Sequence, residues 1–389
     1  MRLKSLSKFA GAVMLAVVMS GCGSDDEPSA AETESTDASD ASEATEGDNG
    51  ETTDGGSSTE PIPIEELCGD EPLQVAHVAG FGGNSWRQIT NAELEDELSA
   101  CPNITMDYTH ADGDLQKYIT AMNSYTAQGY DVIITYDDFA SQGLGAIQAA
   151  TEAGVLVVPY IGDPEGEVGT DYAAFVGYDS VSEGEDMANW LADQVEPGSP
   201  LLFSGGLEGG STTTALLYDT ILATNEALGN PMDPLTDAPQ ASNWDPAFEQ
   251  QAMAGALAQY PEIDALASDY GAASKGGLRS FINAGRPIPP LATSATDNEL
   301  GCMWLELRDE HPDFELYTLD GTTTVVRIAA RKALAALHGL PDNEPELFRM
   351  PVFIDTANDK LPECRDDLPP DVDLSSALPP EKLAAVFDN

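Results

Sequence analysis

The stretch Leu73-Gln74-Val75-Ala76-His77-Val78-Ala79-Gly80-Phe81-Gly82-Gly83-Asn84-Ser85-Trp86-Arg87 passes from a β-rich run through a glycine-rich turn into the start of a helix. A short apolar run bounded by a glycine cluster reads as a buried strand, and the pattern recurs downstream. Strands are expected at Leu73–Ala79, Ile104–Tyr108, Asp131–Tyr136 and Val155–Ile161, separated by helices at Trp86–Ser99, Leu115–Gln128 and Leu144–Ala153. Strands alternating with helices of this length form βαβ crossovers and a parallel sheet. A further strand, Ala173–Tyr178, precedes a second round: strands Pro200–Ser204, Ile263–Ser268 and Pro290–Ser294 among helices Glu183–Gln194, Thr214–Leu228, Pro246–Gln259 and Ser274–Ala284. The chain then offers strand Phe314–Leu319, helix Thr324–Leu337, strand Leu347–Ile354 and a proline-rich tail with a short helix near Pro380–Val386. The expected fold is therefore α/β, two parallel-sheet lobes with a cleft. Ligands of open α/β sheets sit at the carboxyl ends of the strands, so the loops after strands hold the candidate site.

Working outward, the chain of 389 residues has 68 Asp and Glu against 16 Lys and Arg, a net charge of -52. Phosphate recognition needs a basic footprint, so this balance excludes a nucleic-acid binder. Either a saline environment or solubility through self-repulsion accounts for it. Residues 1–21 read as a signal peptide: Arg2, Lys4 and Lys8, then an apolar run from Phe9 to Met19 too short to span a bilayer. Met19-Ser20-Gly21-Cys22 resembles a bacterial lipobox with Met19 where Leu is usual, implying lipidation of Cys22 and anchoring to the cell membrane. Residues 23–66 have no basic or aromatic residue and are expected to form a disordered acidic tether.

Outside the cytoplasm, the four remaining cysteines are expected to form two disulfides. Cys68 with Cys101 would tie the start of the first strand to the end of the first helix, leaving Cys302 with Cys364. None has the spacing of a zinc or redox motif.

Several chemistries lack sequence support. No G-x-S-x-G elbow, H-E-x-x-H pair or P-loop occurs. Gly80–Ser85 is an imperfect dinucleotide fingerprint with Ser at its last position, so no cofactor is expected. The strand-end loops instead hold carboxylates, amides and aromatics: Asn84-Ser85-Trp86-Arg87, Asp137-Asp138, Asp163, Asp179, Asn243-Trp244-Asp245, Asp269, Asp297-Asn298 and Asp320. Carboxylates accept from adjacent hydroxyls, Arg and Asn cover sugar oxygens, and an aromatic face packs on sugar C–H groups. Each of these Asp residues could equally cap a helix.

With these residues in view, the chain resembles the type I periplasmic binding proteins of ABC importers, the ribose- and galactose-binding branch. The similarity covers nearly all of residues 73–340. It rests on Asn84-Ser85-Trp86-Arg87, on Ala149–Val158, on Asn243-Trp244-Asp245-Pro246 and on Pro261-Glu262-Ile263-Asp264-Ala265-Leu266 leading to Asp269. The resemblance implies two doubly wound parallel-sheet lobes joined by a multi-strand hinge, with residues 67–177 and 321–347 in lobe 1 and 178–320 and 348–389 in lobe 2. It also implies that Asn84, Trp86, Arg87, Asp138 and Asp163 line the ligand cleft from the first lobe. Trp244, Asp269 and Asp297 line it from the second, and Asp320 from the hinge side. One departure stands out: where the family commonly offers an arginine to the sugar, this chain has Ala215-Leu216-Leu217-Tyr218, which leaves the ligand open and admits even a cationic one. The implied role is capture of a small hydrophilic solute, most plainly a sugar, for an ABC permease by hinge closure, without catalysis. The alternative is a sensing module presenting the solute to a membrane receptor.

Overall fold

Val75, Ala76, Val78 and Ala79 are all at most 1% exposed, as a strand buried on both faces demands. The computed structural model describes residues 60–207 and 210–388, so the expected signal peptide, Cys22 and residues 23–59 of the tether lie outside the described residues. Ile64, expected in the tether, is buried in a one-turn helix, α1 (Ile64–Leu67), that joins the first core together with Leu67.

The first lobe continues with β1 (Leu73–Ala79), α2 (Ser85–Leu98), β2 (Ile104–His110), α3 (Leu115–Gln128), β3 (Val132–Tyr136), α4 (Ser141–Glu152) and β4 (Leu156–Pro159). Its sheet runs β2-β1-β3-β4, all parallel. The chain moves outward from β1 to β2 and then reverses to β3, so the switch point of this doubly wound sheet lies between the carboxyl ends of β1 and β3.

The second lobe repeats the plan with β5 (Gly177–Tyr178), α5 (Ser180–Gln194), β6 (Ser199–Ser204), α6 (Thr212–Ala227), β7 (Met232–Pro234), α7 (Pro246–Gln259), β8 (Ala265–Ser268), α8 (Gly271–Ala284), β9 (Leu291–Thr293), α9 (Asn298–Leu307) and β10 (Leu316–Leu319). After α10 (Val325–His338) come β11 (Leu347–Phe348), β12 (Val352–Asp355) and α11 (Pro380–Ala385). The second sheet has the order β12-β10-β9-β8-β6-β7, parallel except for the antiparallel edge strand β12. Its switch point lies between β6 and β8.

Three passages join the sheets. The chain leaves β4 for β5, returns from β10 to α10, and leaves again through β11, which pairs in parallel with β5. The helix α10 packs on the first lobe through Val325, Val326, Ala329, Ala330 and Ala333. Arg327 of α10 pairs with Glu93, Asp96 and Glu97 of α2, which explains why that helix buries two glutamates.

Four details differ from the sequence expectation. The helix α9 was not anticipated, nor was β7. Of Ala173–Tyr178, only Gly177 and Tyr178 form a named strand, preceded by a bridge from Val176 to Tyr160. The single strand Leu347–Ile354 is split around Arg349-Met350-Pro351, where proline has no N–H to give a ladder. The two disulfides join Cys68 to Cys101 and Cys302 to Cys364, the pairing expected from the places of the first two in the first strand and helix.

Candidate functional site

The two switch points are built alike. At the first, Gly80 donates its N–H to the Tyr136 carbonyl and Phe81 donates its own to Asp138 Oδ2 at 2.9 Å. At the second, Gly205 donates to the Gln240 carbonyl and Gly206 donates to Asp269 Oδ2 at 3.0 Å. Glycine is required at both: a Cβ on Gly80 would lie 2.6 Å from Asp138 Oδ2, and one on Gly205 would lie 2.5 Å from Asp269 Oδ1. Each lobe thus holds a carboxylate against the glycine turn of the strand beside it.

Their charges are handled differently. Arg87 Nη2 reaches Asp138 Oδ1 at 2.6 Å, and the guanidinium lies over the Tyr136 ring, 3.7 Å from its centroid, and 5.0 Å from that of Trp86. Burial works against the charged Arg87, yet Asp138 and the neighbouring tyrosines hold its pKa above the usual value. Among the described residues no cation pairs with Asp269. It takes hydrogen bonds from Thr214 Oγ1 at 2.6 Å and Trp244 Nε1 at 3.2 Å, and burial raises its pKa despite them. Among the described residues, the buried polar atoms at these points without a hydrogen-bond partner include Arg87 Nη1 and Asp137 Oδ2 at the first and Asp269 Oδ1 and Gln240 Nε2 at the second.

The aromatic residues divide into fixed and open ones. Trp86 is half-buried, edge-on to Tyr136, with Nε1 donating to the Gly321 carbonyl at 2.6 Å. Trp244 is 42% exposed, and it and Asn243 both have φ of +52°, a conformation that disfavours side chains. That left-handed pair turns the indole onto Asp269. Left-handed φ recurs after the strands at Ala140, Ile161, Ala295 and Thr322, and such strain gathers where a site dictates the backbone. Phe81, 49% exposed beside Phe139, was not singled out from the sequence, although its place in the first glycine turn was the available signal.

The remaining candidates are placed as follows. Asn84 caps α2 through the Arg87 N–H. Asp297 is 4% exposed, caps α9 through the Leu300 N–H and pairs with Lys275 Nζ at 2.5 Å, so both its oxygens are engaged. Asp320 accepts the Thr322 N–H; burial and the neighbouring Asp373 push its pKa up to about 7. Asp163 lies on an exposed turn, accepts the Glu165 N–H and neighbours Tyr172; among the described residues no contact joins it to the other candidates. Burial raises the pKa of Tyr178 of β5, with smaller contributions from Glu183, Tyr136 and Asp269, and burial raises that of Tyr270, with Asp297 adding and Arg87 opposing, so groups of both switch points lie within electrostatic reach of these two rings. Behind Asp269 stand two further buried carboxyls missed in the sequence, Glu183 and Glu249, each pushed by burial up to about 8. No group of side chains that could hold a metal ion occurs among the described residues.

Two sheets with matching switch points, joined by three passages of the chain, define a two-lobed binding protein. Residues 75–303 match the family described as periplasmic binding protein domain, and the chain belongs to that family. Its members are binding proteins rather than enzymes, and membership implies an extracytoplasmic location. No curated protein matches the chain. Among solved structures it is similar to the periplasmic component of the arabinose ABC transporter from Shewanella sp. ANA-3, bound to L-arabinofuranose (17% identity, 72% of this chain and 90% of that one, TM-score 0.59). It is also similar to a periplasmic solute-binding protein from Actinobacillus succinogenes with bound D-allose (16%, 72% and 96%, TM-score 0.61). A third is a structure from Mycobacterium smegmatis in complex with β-D-fucofuranose (19%, 82% and 98%, TM-score 0.58). At these identities the likeness establishes the type I fold.

Proposed function

We propose that this chain captures a neutral sugar or polyol between its lobes and hands it to an ABC permease, held to the membrane by a lipid on Cys22. The observation that carries the reading is that two of the buried atoms without a hydrogen-bond partner among the described residues are Arg87 Nη1 on one wall and Asp269 Oδ1 on the other. One is a donor and the other an acceptor, flanked by Trp86 and Trp244, and hydroxyls on a flat apolar ring satisfy such a set. The ligands named for the three solved structures above, L-arabinofuranose, D-allose and β-D-fucofuranose, are of this chemistry. Closure follows if the ligand touches both walls, because contacts available only in the closed form shift the population towards it.

Calorimetric titration of residues 23–389 with L-arabinose, D-allose, D-fucose and myo-inositol tests the reading. Saturable binding of one of them, lost in Asp269→Ala, is expected. No binding by any sugar or polyol, with clear binding of an amine or a nucleoside, would replace the ligand class. Metabolic palmitate labelling that persists in Cys22→Ser would refute the anchor.

A further inference from the structure

We infer that residues 362–383 form a disulfide-anchored latch across one side of the cleft and set how far the two lobes part. The segment lies beyond the residues that match the family, 75–303. It begins on α9 of the second lobe, where Cys364 is bonded to Cys302 and a Cβ on Gly301 would lie 2.7 Å from the Glu363 carbonyl. The Asn298 side chain, in a residue only 3% exposed, donates to the carbonyls of Arg365 and Pro369 and accepts the Arg365 N–H. The first N–H groups of a helix have no partner within it. In α9, Asn298 N donates to the Val372 carbonyl and Glu299 N to the Pro370 carbonyl, each at 2.8 Å, while Asp297 takes that of Leu300. The start of α9 is thus sealed by this segment.

The same segment grips α2 of the first lobe. Ser85 Oγ donates to the Asp371 carbonyl. Leu368, Val372, Leu378 and Leu383 pack on Ile89, which is fully buried by them. Glu93 Oε1 accepts from Ser376 Oγ and Ala377 N, and Lys382 pairs with Asp96. Consecutive carbonyls, Asp371 and Val372, are therefore claimed by different lobes. Between them and α2 the segment also holds a hinge passage: Ser375 Oγ accepts the Gly321 N–H at 2.8 Å, and a Cβ on Gly321 would lie 1.7 Å from Asp373 Oδ2.

Both α2 and α9 start at the carboxyl ends of strands, so their first turns border the cleft. Separating those turns must break the grip on one of them. The α9 side is covalent, so the α2 side is the one that yields, and its cost limits opening. This inference rests on the two-lobed fold and not on the identity of the solute.

The test uses residues 23–389 without ligand, carrying spin labels at Gln116→Cys on α3 and Ala215→Cys on α6, both exposed positions. Removing the anchor in Cys302→Ser/Cys364→Ser is expected to lengthen and broaden the interlabel distance. Removing two of the gripping hydroxyls in Ser85→Ala/Ser375→Ala, with the disulfide kept, is expected to do the same to a smaller extent. A lower melting temperature with an unchanged distance distribution would overturn the inference, leaving the segment a structural brace. Should the cysteine variant fail to fold, the serine variant decides on the same criterion.

Discussion

Replacing Glu183 by Gln removes a carboxyl that is 4% exposed. Burial raises its pKa from 4.5 to about 8; Ser294 opposes the shift, and Asp269 and Asp179 add to it. In the unfolded chain the same group titrates near 4.5, so between that pH and 8 the folded protein holds a proton that the unfolded chain has released. Stability from this group is therefore lost as pH rises through that window, the reverse of an ion-paired carboxylate. At ~1.4 kcal/mol per pH unit separating the two states, the full cost is about 5 kcal/mol once the pH exceeds the folded value. Gln cannot ionise and escapes this cost. Thermal melts of wild type and Glu183→Gln across this pH range provide the assay. The variant's advantage in melting temperature should grow with pH, reaching roughly 10 °C at the alkaline end for a domain of this size. Parallel pH profiles for the two proteins would refute the reasoning, because they would mean that Glu183 either stays hydrated or finds a cation in solution.

His77 gives the opposite slope: burial lowers its pKa from 6.5 to about 4, so stability should fall as pH drops through that range, and His77→Gln should flatten the acid limb of the melting profile. Trp86→Ala should weaken sugar binding at least tenfold, about 1.4 kcal/mol, and also lower the melting temperature, because the indole supports Gly321; unchanged affinity by calorimetry would remove Trp86 from the site. Cys68→Ser/Cys101→Ser frees a loop of 33 residues and should cost about 3–4 kcal/mol in urea unfolding. A saline adaptation predicts that the melting temperature keeps rising with salt beyond the range where screening saturates, and an early plateau would count against it.

The alternation of apolar runs and amphipathic stretches made the two doubly wound sheets legible, because buried parallel strands such as the one that opens Val132-Ile133-Ile134 leave a continuous apolar signature. The edges were less legible. At Met232–Pro234 three residues carry no periodicity, and α9 begins at an Asp-Asn-Glu run that reads as a loop until the segment sealing its first turn is seen. The strand ends, as the place to seek a site, were readable from the sequence, whereas the state of each carboxylate was not. Asp297 and Asp269 look alike in sequence, and only the fold brings Lys275 to the first and, among the described residues, leaves the second without a cation. The role of residues 362–383 was hidden for a related reason: its partners Ser85, Glu93 and Asn298 lie up to 286 residues away along the chain.

These states narrow what a ligand can touch. Asp138 has one oxygen on Arg87 and the other on the Phe81 N–H, and Asp297 is spent on Lys275 and the start of α9. Asp269 retains an unpartnered oxygen, and Arg87 an unpartnered nitrogen, although each is otherwise held by several neighbours. Holding a group firmly while leaving one of its atoms unsatisfied costs stability unless something arrives to complete it. The acceptor lies on one lobe and the donor on the other, so a single small polyol can complete both only when the walls approach. On the proposed reading the cost of the two unsatisfied atoms is relieved by ligand and closure together, which would tie capture of the solute to the movement of the lobes.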